Sequence, residues 1–135
     1  VETLPIKTKK VKIKSRYFNY IVVKWHHQTY IKRRLAGDIW EGLYEFPLIE
    51  TDIEIDEKSI LDSKEFNSIL SNSNYEITSV SSQVKHQLTH QTIFCKFFNV
   101  EMEKMTNIKG FESVSWSDLE NYPKPTLIQR FYLNN

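Results

Sequence analysis

Cysteine is nearly absent from this sequence, since Cys95 is the single one among 135 residues. One thiol excludes a disulfide within the chain and any metal or iron–sulfur site built from several cysteines. Because Cys95 lies in the largely apolar run 93–98, we expect a buried, unreactive thiol. Glycine and proline are also scarce, whereas seven Tyr, eight Phe and three Trp are present. A chain so rich in large apolar rings is expected to form one domain and not a disordered segment.

Long apolar runs are missing as well. No stretch approaches the ~20 consecutive apolar residues of a membrane-spanning helix, and no signal peptide is visible. We therefore expect a protein without a membrane partner in a reducing cytoplasm. The chain starts with Val and a polar stretch, which is typical of a fragment excised from a longer protein.

The net charge of +1 conceals a strong asymmetry along the chain. Residues 1–34 carry ten Lys and Arg against one acid, whereas residues 35–76 carry eleven acids against two lysines. Two interpretations remain open. Either these charges neutralise each other within the fold, or they form a basic face that meets phosphates and a separate acidic face.

Alternating and β-branched apolar residues predict a series of strands. The predicted strands are residues 17–24, 29–34, 92–102 and 111–116, with mostly extended chain over 75–88 and a short piece at 44–50 that Pro47 interrupts. A turn at residues 26–28 predicts that the first two strands pair as a hairpin. In the strand 92–102, the even positions from 94 to 100 are expected on one face and positions 93, 95 and 97 on the other.

Two helices and one short turn of helix are expected. Ser63 is the predicted N-cap of the first, with Phe66, Ile69 and Leu70 on its apolar face, while residues 51–62 are ambiguous. The segment 117–120 predicts a short capping-box helix, and residues 126–133 predict a C-terminal helix. The order of elements favours a mixed α+β sheet with a helix packed on it, in one domain over residues 15–135 after a basic linker at 1–14.

Residues 32–51 contain a distinctive order of basic, glycine and aromatic residues. The segment runs Lys32-Arg33-Arg34, Gly37, Trp40, Gly42-Leu43, Tyr44, Glu45-Phe46-Pro47. Together with His-Gln-Leu-Thr-His at 86–90 and a Tyr-Pro pair before the last helix, this order resembles Nudix-fold domains, in particular the C-terminal domain of the MutY family of adenine DNA glycosylases. The resemblance covers nearly the whole chain and implies a Nudix-like α+β fold.

Active Nudix hydrolases use the same fold, and their metal ligands are absent at the aligned positions. Without gaps, the first Gly and Glu of their motif fall on Ile49 and Ile55, and the metal-binding Glu pair falls on Asn67-Ser68. The predicted helix offers only Glu65, and one carboxylate cannot replace a cluster around a divalent cation. We therefore expect no metal and no catalytic residue in this chain, with an atypical nucleotide pyrophosphohydrolase kept as the alternative.

The segment 86–90 has four possible roles. On one strand, His86 and His90 lie some 13 Å apart at ~3.3 Å per residue, too far for one metal without a tight turn. Thr89 lacks the acid that a nucleophile with a histidine base requires. The two histidines can cap or orient a turn, or the turn can carry a hydroxyl and an imidazole to a base edge, with Leu88 as an apolar wedge.

The resemblance implies the last of these roles. In the MutY family this position contacts 8-oxoguanine, so Leu88, Thr89 and His90, with His86, are the expected nucleic-acid contacts. Leu88 replaces the usual Phe and Thr89 the usual Ser. The implied partners are duplex DNA with 8-oxoguanine opposite adenine, and an N-terminal glycosylase domain of the same protein in the bacterial nucleoid. That absent domain would hold the iron–sulfur cluster, so no cofactor is expected in this chain.

Basic residues supply further candidates for DNA contact. Lys32, Arg33 and Arg34 are expected either to contact phosphates or to pair with the acidic segment. Lys7, Lys9, Lys10, Lys12 and Lys14 are read either as phosphate contacts or as a solubilising linker. Trp40, Tyr44 and Phe46 are expected in the core. A protein-interaction module, with DNA contact incidental, remains a third class of function.

Overall fold

A computed structural model describes residues 12–70 and 73–135, so the lysines proposed at positions 7, 9 and 10 lie outside the described residues. The strands are β1 (Lys14–Lys24), β2 (Gln28–Arg33), β3 (Tyr44–Glu45), β4 (Leu48–Thr51), β5 (Tyr75–Val80), β6 (Val84–Gln87), β7 (Gln91–Met102) and β8 (Glu112–Ser115). The helices are α1 (Glu57–Leu61), α2 (Lys64–Leu70), a 3-10 helix at Trp116–Asn121, and α3 (Thr126–Leu133).

Strand β1 runs through the middle of a five-stranded mixed sheet. The order is β4-β1-β7-β5, and β6 also pairs with β7. Strand β1 is antiparallel to β4 and parallel to β7. Strand β1 is buried on both faces, because the consecutive side chains of Ile21, Val22 and Val23 are all inaccessible to solvent.

A second sheet of three strands has the order β3-β2-β8. The prediction that β2 pairs back on β1 as a hairpin is wrong beyond a single bridge between Trp25 and Gln28. One edge of β1 pairs with β7 along the whole strand, and the other pairs with β4 at Tyr17–Tyr20 only. After a turn in which His26 takes a φ of 54°, β2 enters the second sheet, where it pairs with β3 and β8.

The large sheet separates two apolar cores. On one face, residues such as Phe18 and Phe97 pack with α3 and the second sheet. On the other face, Ile21 and Phe98 pack with α1 and α2. The predicted alternation in β7 is confirmed, since Ile93, Cys95 and Phe97 lie in the first core and Phe98 and Val100 in the second.

The helix predictions hold with one exception. The Phe66 N–H donates to the Ser63 hydroxyl at 3.1 Å, which confirms Ser63 as the cap of α2. Phe66, Ile69 and Leu70 are buried as expected. The segment 117–120, predicted as a capping-box helix, belongs to the 3-10 helix, whose preceding residue Ser115 makes no capping hydrogen bond.

Two other expectations are met, those for the fold class and for Cys95. The fold is mixed α+β, although its strands form two sheets and not one. Cys95 is fully buried, and burial raises the pKa of its thiol. Within residues 12–70 and 73–135, no helix combines the length and the apolar character needed to cross a membrane.

Helix α3 provides a test of the first core. The Phe131 ring stacks on Phe97 with centroids 4.1 Å apart and meets Phe46 edge-on at 5.9 Å. We expect Phe131→Ala to lower the free energy of unfolding by about 3–5 kcal/mol, because it removes a buried ring and leaves a cavity. Urea denaturation measures this loss.

The matched control lies in the same helix. Leu133 is 68% exposed, so Leu133→Ala is expected to change the free energy of unfolding by less than about 0.5 kcal/mol. Equal losses in the two variants would contradict the packing described for α3.

Candidate nucleic-acid interface

The turn between β6 and β7 presents three consecutive residues, Leu88, Thr89 and His90, here called the hairpin tip. The β6–β7 pairing ends with Gln87 opposite Thr92. The Leu88 N–H donates to the Gln91 carbonyl at 2.7 Å, which closes the turn. Thr89 and His90 are exposed, whereas Leu88 is half-buried and packs against the first core. The hydroxyl and the imidazole are therefore the polar groups that the tip offers to a ligand.

His86 lies below the tip, within β6. It is paired with Ile93 and is half-buried. Its ring is 6.0 Å from the Trp40 ring, which meets Phe18 edge-on at 5.8 Å. Trp40 has a φ of 58°, which costs a non-glycine residue roughly 1–2 kcal/mol. This conformation accompanies the contact of the loop 34–43 with the side of the hairpin.

The basic triplet divides into two exposed residues and one buried side chain. Lys32 and Arg33 are exposed. The Lys32 ammonium lies 5.7 Å from the centre of the Phe111 ring, and Arg33 Nε donates to the Gly42 carbonyl at 3.3 Å. The side chain of Arg34 is only 7% exposed and is ion-paired. Lys32 and Arg33 are therefore open to solvent, whereas Arg34 pairs with the acidic segment through Asp38 and Glu45.

Arg34 neutralises a buried carboxylate. Its Nη1 donates to both oxygens of Glu45, at 2.9 and 3.1 Å, and the Tyr20 hydroxyl donates to Glu45 at 2.7 Å. Burial nevertheless raises the pKa of Glu45, and burial also raises the pKa of Tyr20. These three side chains tie β1, the end of β2 and β3 together beneath the loop 34–43.

A second arginine, Arg16, forms a cluster that the sequence analysis missed. Its guanidinium donates to Asp38 at 2.8 and 2.9 Å, to Glu50 at 2.7 and 2.8 Å, and to the Gln91 amide oxygen at 3.0 Å. These four residues are here called the Arg16 cluster. Arginine has five N–H groups, and five hydrogen bonds are made. The side chain is 10% exposed, and bonding to Glu50 and Asp38 raises its pKa.

A signal in the sequence pointed to this cluster. Arg16 shares the alternation of Phe18, Tyr20 and Val22, which all face the first core. A charged residue in that alternation indicates a buried ion pair, because an unpaired buried charge is very costly. The partners were not readable, since they lie 22 to 75 residues away along the chain.

The positions that align with the metal-binding motif of Nudix hydrolases lie outside the hairpin tip and the Arg16 cluster. Ile49 is buried in the second core, and Glu65 is exposed on α2. Over the part of the chain that the structure describes, no three His, Cys, Asp or Glu side chains are grouped so as to hold a metal ion. The two acids of the Arg16 cluster, Asp38 and Glu50, are bonded to Arg16.

The ion pairs give Asp38 a distinct dependence on pH. Hydrogen bonds from Arg16 lower the pKa of Asp38 to about 2 from 3.8, with the Ile39 N–H and the charge of Arg34 adding to the effect. A lowered pKa stabilises the fold above the unfolded value and loses that contribution as the pH falls through the folded value. We expect Asp38→Asn to be less stable than wild type at pH 7, with the difference shrinking between about pH 4 and pH 2.

Urea denaturation across that range measures the effect. Asp62→Asn is the control, because Asp62 is 69% exposed and lies 3.7 Å from Lys58, so it contributes little. A stability difference for Asp38→Asn that does not change with pH would contradict the assigned pairing.

Solved structures with a similar fold include a MutT protein, the C-terminal domain of MUTYH and a Nudix hydrolase. The MutT protein from Methanosarcina mazei Go1 is 13% identical, covers 93% of this chain and 95% of its own, and gives a TM-score of 0.67. The C-terminal domain of mouse MUTYH, in complex with human PCNA, is 16% identical to this chain. The match covers 85% of this chain and 83% of the MUTYH chain, with a TM-score of 0.62. The M. smegmatis Nudix hydrolase RenU is 5% identical to this chain. The match covers 90% of this chain and 82% of the RenU chain, with a TM-score of 0.60. At such identities the likeness shows the fold alone.

Comparison with curated proteins found no match. The family model described as the NUDIX domain, in contrast, matches residues 19–134, which include every strand from β2 to β8 and most of β1. The chain belongs to the NUDIX domain family.

Proposed function

We propose that this domain recognises 8-oxoguanine opposite adenine in duplex DNA, as the C-terminal part of an adenine DNA glycosylase. The observation that carries the proposal is the hairpin tip, where Thr89 and His90 are exposed on a turn closed by main-chain hydrogen bonds. A turn that carries an exposed hydroxyl and an imidazole is suited to hydrogen-bonding the edge of a base.

The Thr89 hydroxyl accounts for the lesion preference in this proposal. Guanine has an acceptor at N7, whereas 8-oxoguanine has an N–H donor there and an added oxygen at C8. The Thr89 oxygen accepts from that N–H while its O–H donates to O6 or to the added oxygen at C8. Guanine has no donor at N7 and no oxygen at C8, so it can accept from the hydroxyl but cannot donate to it there. Leu88 is half-buried against the core, so its proposed apolar contact with the base stack is limited to the exposed part of its side chain.

Basic side chains supply the proposed DNA contacts that do not depend on the base sequence of the DNA. Lys14 begins β1, and its N–H donates to the His90 carbonyl at 3.1 Å, which places an exposed lysine beside the tip. Lys32 and Arg33 line a concavity of about 360 Å³ that also includes Asp38 and Glu50 of the Arg16 cluster. Phosphate contacts from Lys14, Lys32 and Arg33 position the duplex without selecting a base.

The glycosylase chemistry belongs to another part of the same polypeptide in this proposal. Similarity to the MUTYH C-terminal domain supports the assignment at the level of fold, which MutT proteins share. The coding sequence upstream of Val1 tests it directly. We expect that sequence to encode a helix-hairpin-helix segment and four closely spaced cysteines, and a different upstream domain would refute the assignment to a glycosylase.

Substitution of Thr89 tests the base contact. In the full-length glycosylase, we expect Thr89→Ala to reduce the preference for 8-oxoguanine over guanine opposite adenine by roughly 5- to 150-fold, since one discriminating base contact is worth about 1–3 kcal/mol. Competition binding with the two duplexes measures the ratio.

Thr89→Ser is the matched control, because it keeps the hydroxyl and should keep the preference. An unchanged preference in Thr89→Ala would favour a second candidate, a protein-binding module. That candidate is supported by the similar domain of mouse MUTYH, whose structure is a complex with human PCNA.

Salt dependence tests the phosphate contacts. We expect weak DNA binding by this chain alone, with affinity falling steeply as salt rises. Lys32→Gln should weaken binding equally for damaged and undamaged duplexes and reduce the slope of log affinity against log salt by about 0.9, the value for one lost phosphate contact. Fluorescence anisotropy titrations at several salt concentrations measure both quantities.

Lys58→Gln is the control for the loss of one positive charge. The Lys58 side chain is 87% exposed on α1 and pairs with Asp62. The same slope in the Lys32 and Lys58 variants would refute a local contact at Lys32, and tight lesion-selective binding by the isolated chain would contradict the proposed division of labour with the missing domain.

A further inference from the structure

The hairpin tip lies beyond the end of the ladder that holds the hairpin together. Pairing of β6 with β7 stops at Gln87 and Thr92. Past that point, the Leu88 N–H bonds to the Gln91 carbonyl and the His90 carbonyl accepts from the Lys14 N–H. Main-chain bonds at the end of a hairpin open easily, because few neighbouring bonds must break with them.

A side chain at the base of the tip adds a further tether. Gln91 is half-buried, and its amide oxygen accepts from Arg16 Nη1 at 3.0 Å. Arg16 cannot swing with the tip, because Asp38 and Glu50 each hold it through two hydrogen bonds. Gln91 is therefore anchored to a group whose position is fixed by two other segments of the chain.

The same arginine supports the hairpin from its other side. Asp38 belongs to the loop 34–43, which carries Trp40, and the Trp40 ring contacts His86 in β6. Arg16 thus holds the loop that packs on β6 and, through Gln91, the first residue of β7. Both strands that lead to the tip are fixed relative to β1.

We propose that Arg16 acts through Gln91 as a positioning residue for the base contact, holding the hairpin tip so that the Thr89 hydroxyl meets the lesion in one orientation. This inference rests on the proposed function. A contact that discriminates between bases needs its hydroxyl within a few tenths of an ångström of the right place. A tip that must be ordered during binding loses affinity for the lesion, and with it the preference.

Substitutions of Gln91 separate this role from the stability of the Arg16 cluster. Gln91→Leu removes the acceptor at similar volume, Gln91→Asn shortens its reach, and Gln91→Glu retains an acceptor for Arg16. We expect Gln91→Leu and Gln91→Asn to lower the preference for 8-oxoguanine over guanine roughly two- to thirty-fold. We expect Gln91→Glu to keep the wild-type preference. Competition binding in the full-length glycosylase measures the preference.

Amide hydrogen exchange by NMR, on this chain alone, reports the tip itself. We expect faster exchange of the Leu88 amide in Gln91→Leu and Gln91→Asn, and wild-type exchange in Gln91→Glu. Gln28→Leu is the matched control, since Gln28 lies beyond the far end of β1, roughly 33 Å from Lys14 at ~3.3 Å per residue, where its oxygen accepts from the Ser113 hydroxyl.

The outcomes distinguish this inference from the proposed function. Unchanged preference and unchanged Leu88 exchange in Gln91→Leu and Gln91→Asn would overturn the positioning role, as would equal losses in Gln28→Leu. A wild-type glycosylase that does not distinguish the two duplexes would refute the proposed function, and the exchange rates would then decide whether Gln91 fixes the tip.

Discussion

The parallel pairing of β1 with β7 is the constraint on which the rest of the structure depends. Eleven residues of β1 lie beside β7, from Lys14 opposite Gln91 to Lys24 opposite Glu101. Both strands bury side chains on both faces, so a shift of one residue in either would exchange the contents of the two cores. The register is therefore fixed by the buried apolar residues of the two strands, which determines the residues that lie side by side at each end of the pair.

One end of this pair collects the candidate site because parallel strands begin at the same edge of a sheet. Arg16 and Gln91 are both close to the start of their strands, and their side chains project from the same face as Phe18 and Ile93. The chain enters β7 through the β6–β7 hairpin, so the tip lies at that edge as well. The position of Thr89 thus follows from the pairing of two buried strands and not from the loop itself.

Local patterns predicted most of the elements but not how they pair. The alternation in 92–102 and the capped apolar face after Ser63 were sufficient for β7 and α2, since each depends on neighbours in sequence. The pairing of β2 was predicted incorrectly, because the turn at His26 indicates a hairpin, whereas β2 pairs with β3 and β8, which follow later in the chain. The exposed tip was readable from residues 86–90, whereas the support that Arg16 gives it depends on residues up to 75 positions away.

The carboxylates near the tip bear on what this end of the domain can bind. Asp38, Glu45 and Glu50 accept hydrogen bonds from Arg16 or Arg34. If they turned to a divalent cation, two largely buried guanidinium groups would lose their partners, at a cost of several kcal/mol for each buried charge. These acids are therefore committed to the scaffold, and the groups left to meet a ligand are the Thr89 hydroxyl, the His90 imidazole and nearby exposed cations. In the proposed function these groups meet a base edge and its phosphates, so the shared NUDIX fold and the proposed DNA recognition depend on different residues of one chain.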